Sequence, residues 1–154
     1  MIAIRAMTAG DVDYVMSLEA RMPEAPHWAR SAYERFLASD TSNTRSAAWV
    51  AEDGSGLVGF VMARLVVDVC ELESIGVAAS SRRRRTGRAL LETVSTWATA
   101  QGARKMELEV RASNENAIRF YEKAGLAREG VRRGYYRDPD GDAVLMGTSL
   151  YSRD

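Results

Sequence analysis

Residues 77–91, VAASSRRRRTGRALL, join a predicted strand to a predicted helix through a turn rich in arginine. The apolar run Leu72 to Val77 leads into the turn, and apolar residues at helical spacing follow it from Leu90 onward. Five arginines occupy seven positions of the turn, beside one glycine, Gly87. A strand that passes through a loop into a helix directs backbone N–H groups and the positive end of the helix dipole outward. This arrangement predicts an anion site, most naturally for phosphate, which the arginines strengthen.

The same stretch resembles the acetyl-CoA-binding signature of the GCN5-related N-acetyltransferase (GNAT) superfamily, V-x-P-x-x-[RQ]-x-x-G-x-[GA] followed by Leu-Leu. Val77, Arg82, Gly87 and the leucine pair at 90–91 match it. Ala79 replaces the usual proline, and Arg85 replaces the first glycine, which lets backbone and pyrophosphate approach closely. The resemblance implies acetyl-CoA as the cofactor. It leaves open whether Arg85 weakens binding of that cofactor or contributes a charge in exchange.

Length and composition place the chain among single-domain globular proteins. Its 154 residues predict one domain spanning residues 1–154, with 46% hydrophobic and 27% charged residues. Lys+Arg and Asp+Glu both number 21, so no net field favours nucleic acid or an anionic membrane. A single cysteine, Cys70, and a single histidine, His27, argue against a disulfide and a metal site. The N-terminus lacks the apolar core of a signal peptide, and we expect a cytoplasmic protein.

Hydrophobic periodicity and turn residues predict the order of the secondary-structure elements. We expect strands at residues 2–7, 47–51, 57–69, 71–77, 105–110, 127–136 and 143–151, and helices at 12–19, 29–38, 86–102 and 114–124. Residues 22–28 and 39–46 are predicted connections. This order favours an α/β (α+β) fold with a mixed sheet and helices on both faces. It also matches the GNAT order, which implies a mostly antiparallel central sheet of about seven strands.

A second segment narrows the resemblance to one group within this superfamily. Residues 108–126, LEVRASNENAIRFYEKAGL, resemble the LEVRxSNxxAIxxYExxGF block of bacterial ribosomal-protein N-terminal alanine acetyltransferases, the RimI type, with Leu126 in place of phenylalanine. RRGYY at 132–136 and DAVLM at 142–146 resemble the tail of the same group. The blocks imply an acetyl-CoA-dependent N-acetyltransferase that acetylates the α-amino group of a protein N-terminus by direct attack in a ternary complex. The substrate is then a protein or peptide, for example a ribosomal protein.

Two carboxylates are candidates for the general base of this reaction. An α-amino group has a pKa of about 7.7–8.0, so modest help suffices to obtain the neutral amine at neutral pH. The resemblance assigns this role to Glu109, acting through water. Glu71 is the alternative base, because histone-type GNAT enzymes carry their glutamate at that place. Each is also explained as a charged residue on a solvated strand face. Glu107 shares the face of Glu109, and Glu73 shares the face of Glu71.

The RimI-type resemblance also implies a proton donor and a cofactor site. Tyr121 resembles the tyrosine that protonates the departing CoA thiolate, although it is equally explained as a core aromatic, with Phe120 the more obvious core residue. Asn114 contacts the cofactor, caps the following helix, or does both. The backbone N–H of Val77 polarises the thioester carbonyl. The full implied cofactor set is Ile75, Gly76, Val77, Arg82, Arg83, Arg84, Arg85, Thr86, Gly87, Arg88, Asn114 and Tyr121.

Substrate contacts are implied for Tyr135 and Tyr136 in the peptide slot and for Trp28 near its entrance, whereas His27 is more simply inert. Packing explains the two tyrosines equally well. A small-molecule amine acetyltransferase remains an alternative, and so does a non-catalytic acyl-CoA-binding module, because of Arg85. RNA binding through the arginine run is disfavoured by the zero net charge. Monomer and homodimer are both compatible with the sequence.

Overall fold

Strands and helices follow one another in the predicted order. The computed structural model describes residues 2–22, 28–38, 44–81 and 85–150. The elements, apart from two short 3₁₀ turns, are β1 (Ala3–Ala6), α1 (Val12–Glu19), α2 (Arg30–Ala38), β2 (Thr44–Asp53), β3 (Gly56–Val66), β4 (Val69–Val77), α3 (Thr86–Ala100), β5 (Lys105–Arg111), α4 (Glu115–Lys123), β6 (Ala127–Tyr136) and β7 (Gly141–Ser149). Within these described ranges, none of the helices has both the length and the apolar character needed to cross a membrane.

The strands of the described residues form one seven-stranded sheet in the order β1-β2-β3-β4-β5-β7-β6. Neighbours are antiparallel except β4 and β5, which run parallel. The β4–β5 pairing extends only from Val69 opposite Lys105 to Glu71 opposite Glu107. Both strands continue beyond this point, so they diverge toward their carboxyl ends. The divergence opens a cleft in the middle of the sheet.

A β-bulge lies in β4 just where this divergence begins. Ser74 pairs with Met62 of β3, but Leu72 pairs with Ala63, so Glu73 is an extra residue without an opposite partner in the β3 register. A bulge bends its strand and redirects the side chains around it. The bulge therefore places Glu73 at the mouth of the cleft.

Helices cover both faces of the sheet, as predicted. On one face α3 and α4 pack against β5, whose Met106, Leu108 and Val110 are buried. On the other face α1 and α2 bring Tyr33 and Phe36 onto the central strands, with other buried residues of that core. Full burial of one such side chain contributes about 1.5–3 kcal/mol. Because strand residues alternate, the charged residues of β5, among them Glu109, point away from α3 and α4.

Several boundaries differ from those predicted. β4 begins at Val69 instead of residue 71, and β7 begins at Gly141 instead of residue 143. Two further differences concern β2 and β3. β2 begins at Thr44 instead of residue 47, because residues 44–46 pair with the end of β3. The predicted strand at 57–69 is divided by a turn after Val66, where Val67 has a φ of 57°. A β-branched residue is unusual in that left-handed region, so the run of valines gave no signal of the turn. In both places long-range pairing overrides local propensity.

Candidate active site

A large cleft follows the divergence of β4 and β5. It is lined by β4 from Glu71 to Val77 and by β5 from Glu107 to Arg111, together with the first turns of α3 and α4, the end of β6, and Trp28. Its volume is about 1950 Å³. Sites for a single small molecule measure roughly 300–1,000 Å³. The cleft is therefore large enough to admit a long cofactor and a second substrate together.

The N-terminus of α3 opens on one end of this cleft. Arg85 is the N-cap residue, it is exposed, and its backbone is left-handed with φ 60° and ψ 19°. Arg85, Gly87 and Arg88 all line the cleft. The Arg88 guanidinium pairs with Glu92 one turn later at 3.4 Å. A fifteen-residue helix with guanidinium groups at its N-terminus is the arrangement that favours anions, and the anion site stays a prediction.

Three other residues of the predicted phosphate turn, Arg82, Arg83 and Arg84, lie outside the described residues. The Thr86 side chain does not line the cleft as expected of a cofactor ligand. It is fully buried, with its methyl carbon against Gly59 of β3. Its Oγ1 has no hydrogen-bond partner in the described part of the chain. Only the backbone of Thr86 is thus placed to contribute to anion binding.

The β4 arm of the cleft consists of Ile75, Gly76 and Val77. The side chains of Ile75 and Val77 pack against the core beneath α3 and α4. A Cβ on Gly76 would lie 2.6 Å from the Phe60 ring and 2.7 Å from the Met22 sulfur. Packing against Phe60 and Met22 on the α1 and α2 side therefore favours glycine at this position.

Glu109 lines the cleft from β5, and its carboxylate is held by residues of β6. Arg132 Nε lies 3.3 Å from Glu109 Oε1, and the Glu109 side chain is 28% exposed. Hydrogen bonding to Glu109 raises the pKa of Tyr135 to about 12. Both partners reach Glu109 across β7, which separates β5 from β6. The structure thus brings the predicted base and one predicted substrate residue together.

The other predicted base, Glu71, is exposed and occupies the last paired position of β4, opposite Glu107. Glu73, two residues later, is half-buried in the same cleft. Desolvation raises the pKa of Glu73, and the charges of Glu71 and Glu109 raise it further, against the opposing effect of Arg64. Reasoning from the sequence treated Glu73 only as part of a polar strand face. No residue pattern indicates the bulge that moves it into the cleft.

Tyr121 of α4 is buried and lines the cleft from the side of the helices. Burial raises its pKa above the ordinary value near 10, with a smaller contribution from Tyr136. The phenol therefore stays protonated at physiological pH and is able to donate a hydrogen bond. The expectation that Phe120 is the more obvious core residue is wrong. Phe120 is only partly buried, with its ring 5.3 Å from that of Tyr121.

Asn114 caps α4, as predicted: its side-chain oxygen accepts a hydrogen bond from the N–H of Ala117 at 3.1 Å.

Tyr135 and Tyr136, at the end of β6, also line the cleft, with ring centroids 5.1 Å apart. The guanidinium of Arg111 lies 4.3 Å from the Tyr136 ring centroid, within cation–π distance. Tyr135 is 49% exposed, so its ring remains available to a ligand.

Trp28 is fixed by a buried carboxylate that sequence reasoning did not single out. Glu19 of α1 is 2% exposed. Its Oε1 accepts a hydrogen bond from the backbone N–H of Trp28 at 2.7 Å, and its Oε2 accepts one from the Tyr33 hydroxyl. The Trp28 ring lies 5.5 Å from Tyr33 and 5.7 Å from Phe36. A glutamate among the apolar residues of α1 was the sequence signal that could have indicated this buried carboxylate. His27 lies outside the described residues.

A helix N-terminus with guanidinium groups, a slot between two diverging parallel strands, carboxylates and a buried phenol suit an enzyme that transfers an acyl group to an amine. Transfer of an acyl group to an amine requires groups that take up and donate protons beside a long cofactor slot. The chain belongs to the acetyltransferase (GNAT) family, whose model matches residues 13–126. It is thus an N-acetyltransferase of the RimI-like kind, in agreement with the names of its relatives.

Several relatives resemble the chain over most of its length. The [ribosomal protein bS18]-alanine N-acetyltransferase of Escherichia coli (strain K12) is 33% identical over 144 residues, covering 88% of this chain and 97% of that protein. N-alpha-acetyltransferase RimI of Mycobacterium tuberculosis is 32% identical over 151 residues, covering 94% and 90%.

Solved structures share the fold. The crystal structure of the ribosomal-protein-S18-alanine N-acetyltransferase from Escherichia coli superposes with a TM-score of 0.81 at 26% identity, over 100% of this chain and 97% of that one. NAA60 from Arabidopsis thaliana, solved in complex with acetyl-CoA, superposes with a TM-score of 0.82 at 18% identity, over 97% and 99%.

Proposed function

We propose that the protein transfers an acetyl group from acetyl-CoA to the α-amino group of a protein N-terminus, of the ribosomal-protein-alanine type. The observation that carries this proposal is the divergence of β4 and β5 beyond Glu71 and Glu107, with Glu109 and Tyr121 on the walls of the cleft it opens. Relatives named for bS18-alanine acetylation support the choice of substrate. A cytoplasmic location follows from the same proposal, since ribosomal proteins are made there.

The residues that line the cleft fit acetyl-CoA, which supplies the acetyl group as a thioester. Arg85, Arg88 and the first N–H groups of α3 meet the negative charges of its phosphates by charge-assisted hydrogen bonding. The β4 backbone at Ile75 to Val77 runs along the slot and would align the pantetheine arm in the manner of an added strand. Asn114 and the turn at residues 82–84 belong to the same proposed set.

The amine enters from the side on which Glu109, Tyr135 and Trp28 line the cleft. Glu109 receives the ammonium group and, directly or through water, its proton. Because an α-amino group has a pKa of about 7.7–8.0, a large fraction is protonated at pH 7 and must lose a proton before it attacks. Tyr135, Tyr136 and Trp28 supply aromatic surface for the first residues of the peptide.

Tyr121 donates a hydrogen bond to the departing sulfur in this proposal. An ordinary thiol has a pKa near 8.5, and burial raises the pKa of the Tyr121 phenol above 10. The phenol therefore keeps its proton at equilibrium and stabilises the developing thiolate by hydrogen bonding. Its position on α4, with Glu109 on β5, separates the group that takes up a proton from the group that stabilises the thiolate.

Calorimetric titration with acetyl-CoA, followed by a thiol-release assay on a peptide that starts with alanine, tests the proposed function. We expect saturable binding and turnover with the free peptide. The same peptide acetylated at its N-terminus is the matched control, and it should give none. Turnover with small amines but not with the peptide would replace the substrate class by small-molecule amines. Binding without turnover on any amine would overturn the catalytic proposal.

A further inference from the structure

We propose that Glu73 is a further catalytic residue of this site, the carboxylate on which the proton of the substrate ammonium group comes to rest. The inference deepens the proposed function and rests on it. Glu109 then makes the first contact with the amine, and Glu73 is the final acceptor of the proton. Nothing in the residue pattern singled out Glu73 from its neighbour Glu71, and the assignment comes from the fold alone.

The backbone places Glu73 at the reaction centre. Glu73 is the extra residue of the β4 bulge, and it follows the last β4–β5 pair by two positions. β4 and β5 part at this point, so Glu73 on one strand and Glu109 on the other line the same cleft. Bulges are frequent beside active sites because they redirect a side chain that a regular strand would point elsewhere. Glu71, in contrast, is exposed where the strands are still paired.

The surroundings of the two carboxylates differ in a way that separates their roles. Glu109 is compensated by the Arg132 guanidinium and by the Tyr135 hydroxyl, both from β6. Glu73 is half-buried, and the charged groups that face it are Arg64 from β3, Glu71 from its own strand and Glu109 from β5.

Loss of water and two negative neighbours favour the protonated form of Glu73, and Arg64 offsets only part of this effect. The pKa of Glu73 is raised accordingly. Because Glu73 holds a proton more readily than an ordinary carboxylate does, it is suited to the role of base.

The proton transfer is balanced. The ammonium R–NH3+ and the Glu73 carboxylate become the amine R–NH2 and the Glu73 carboxylic acid. The N–H bond breaks, an O–H bond forms, and the electron pair stays on nitrogen, ready for attack. Before the transfer, the positive charge of the ammonium group offsets the repulsion between the Glu73 and Glu109 carboxylates. After the transfer Glu73 is neutral, so the repulsion does not return. After product release Glu73 returns the proton to water.

Kinetics as a function of pH test this inference, with the Ala-starting peptide as substrate and Glu73→Gln compared with Glu52→Gln as matched control, because Glu52 is a strand glutamate of β2 that does not line the cleft. In E73Q only Glu109 remains to accept the proton, and its carboxylate is already engaged by Arg132 and Tyr135. The value of kcat/KM of E73Q should therefore fall by up to about tenfold per pH unit below about pH 8. The wild type and E52Q should keep their activity down to the pH at which Glu73 itself protonates. All three should converge above pH 9. Glu73→Asp should restore part of the low-pH activity.

A carboxyl ¹³C NMR titration of the protein without substrate gives a second readout. Glu73 should titrate above the ordinary value of about 4.3, and Glu109→Gln should lower its pKa by removing a facing charge. Parallel pH profiles for wild type and E73Q would overturn the inference while leaving the proposed function intact. If E73Q fails to fold, a Glu73 carboxyl that titrates at the ordinary value overturns it instead. A wild type without turnover on any amine would overturn the proposed function, and this inference with it.

Discussion

Arg85→Gly separates two effects at the start of α3, a backbone strain and a charge. Arg85 has a φ of 60°, in the left-handed region that costs a non-glycine residue about 1–2 kcal/mol. Glycine adopts this conformation freely but gives up about 0.5–1 kcal/mol to its greater freedom in the unfolded chain. The substitution should thus stabilise the protein by about 0.5–1 kcal/mol. For a chain of this length that is a rise in Tm of about 1–4 °C.

Arg85→Gly should weaken the binding of the cofactor, although it stabilises the protein. Arg85 is exposed and lines the cleft beside the N-terminus of α3. A contact between an exposed guanidinium and a phosphate contributes about 1 kcal/mol, which corresponds to about a fivefold change in Kd. We therefore expect R85G to bind acetyl-CoA about fivefold more weakly although it is the more stable protein.

Calorimetric titration with acetyl-CoA and thermal unfolding, on the same four proteins, measure both quantities. Arg85→Asn removes the charge at a residue that tolerates the left-handed conformation, so it should lose as much affinity as R85G. Arg85→Lys keeps both the charge and the strain, so it should bind as the wild type does. Tighter binding by R85G than by the wild type would show that arginine keeps the backbone too far from the pyrophosphate. It would refute the compensating role of the charge.

Three further substitutions test other parts of the site and its support. Glu19→Ala removes both acceptors and leaves the Trp28 backbone N–H and the Tyr33 hydroxyl without their partner; we expect a loss of about 1–3 kcal/mol in the free energy of urea unfolding and a higher peptide KM, because Trp28 loses its anchor. Tyr121→Phe should slow transfer about 100-fold in the thiol-release assay while acetyl-CoA affinity changes by less than about twofold. Asp11→Asn should lower the free energy of unfolding by about 1–2 kcal/mol at pH 7, because contacts with Arg5 lower the pKa of Asp11 from 3.8 to about 2. This figure includes a reduction for solvent screening, since Arg5 is 41% exposed.

The pH dependence of the Asp11 contribution has a definite sign. A carboxyl whose pKa is lowered on folding stabilises the protein above its unfolded value, so wild-type stability should decline as the pH falls from about 5 toward 2. Asp13→Asn is the matched control, since Asp13 is exposed, and it should change stability by less than about 0.5 kcal/mol. An equal loss for both variants would contradict the assignment. Unchanged peptide KM in E19A would mean that Trp28 does not depend on Glu19. Equal losses of rate and of acetyl-CoA affinity in Y121F would indicate packing.

Local sequence patterns determined the order of the elements and predicted an anion site at the start of α3. Helical spacing after Leu90 and strict alternation from Lys105 to Val110 are short-range features, and they survive in the folded protein because each element buries its own apolar side. The α4 cap at Asn114 was readable for the same reason, since a cap is a contact between residues three apart. The RimI-type resemblance indicated Glu109 and Tyr121 from their neighbours in the chain.

Tertiary structure alone decided which carboxylates meet in the cleft. Glu71 and Glu73 look alike in the sequence, and they differ only because the register between β3 and β4 inserts a bulge at Glu73. The left-handed backbone of Arg85 and the inward side chain of Thr86 likewise depend on how α3 docks on the sheet. Register, docking and desolvation arise from contacts between residues far apart in the chain, and no local pattern encodes them.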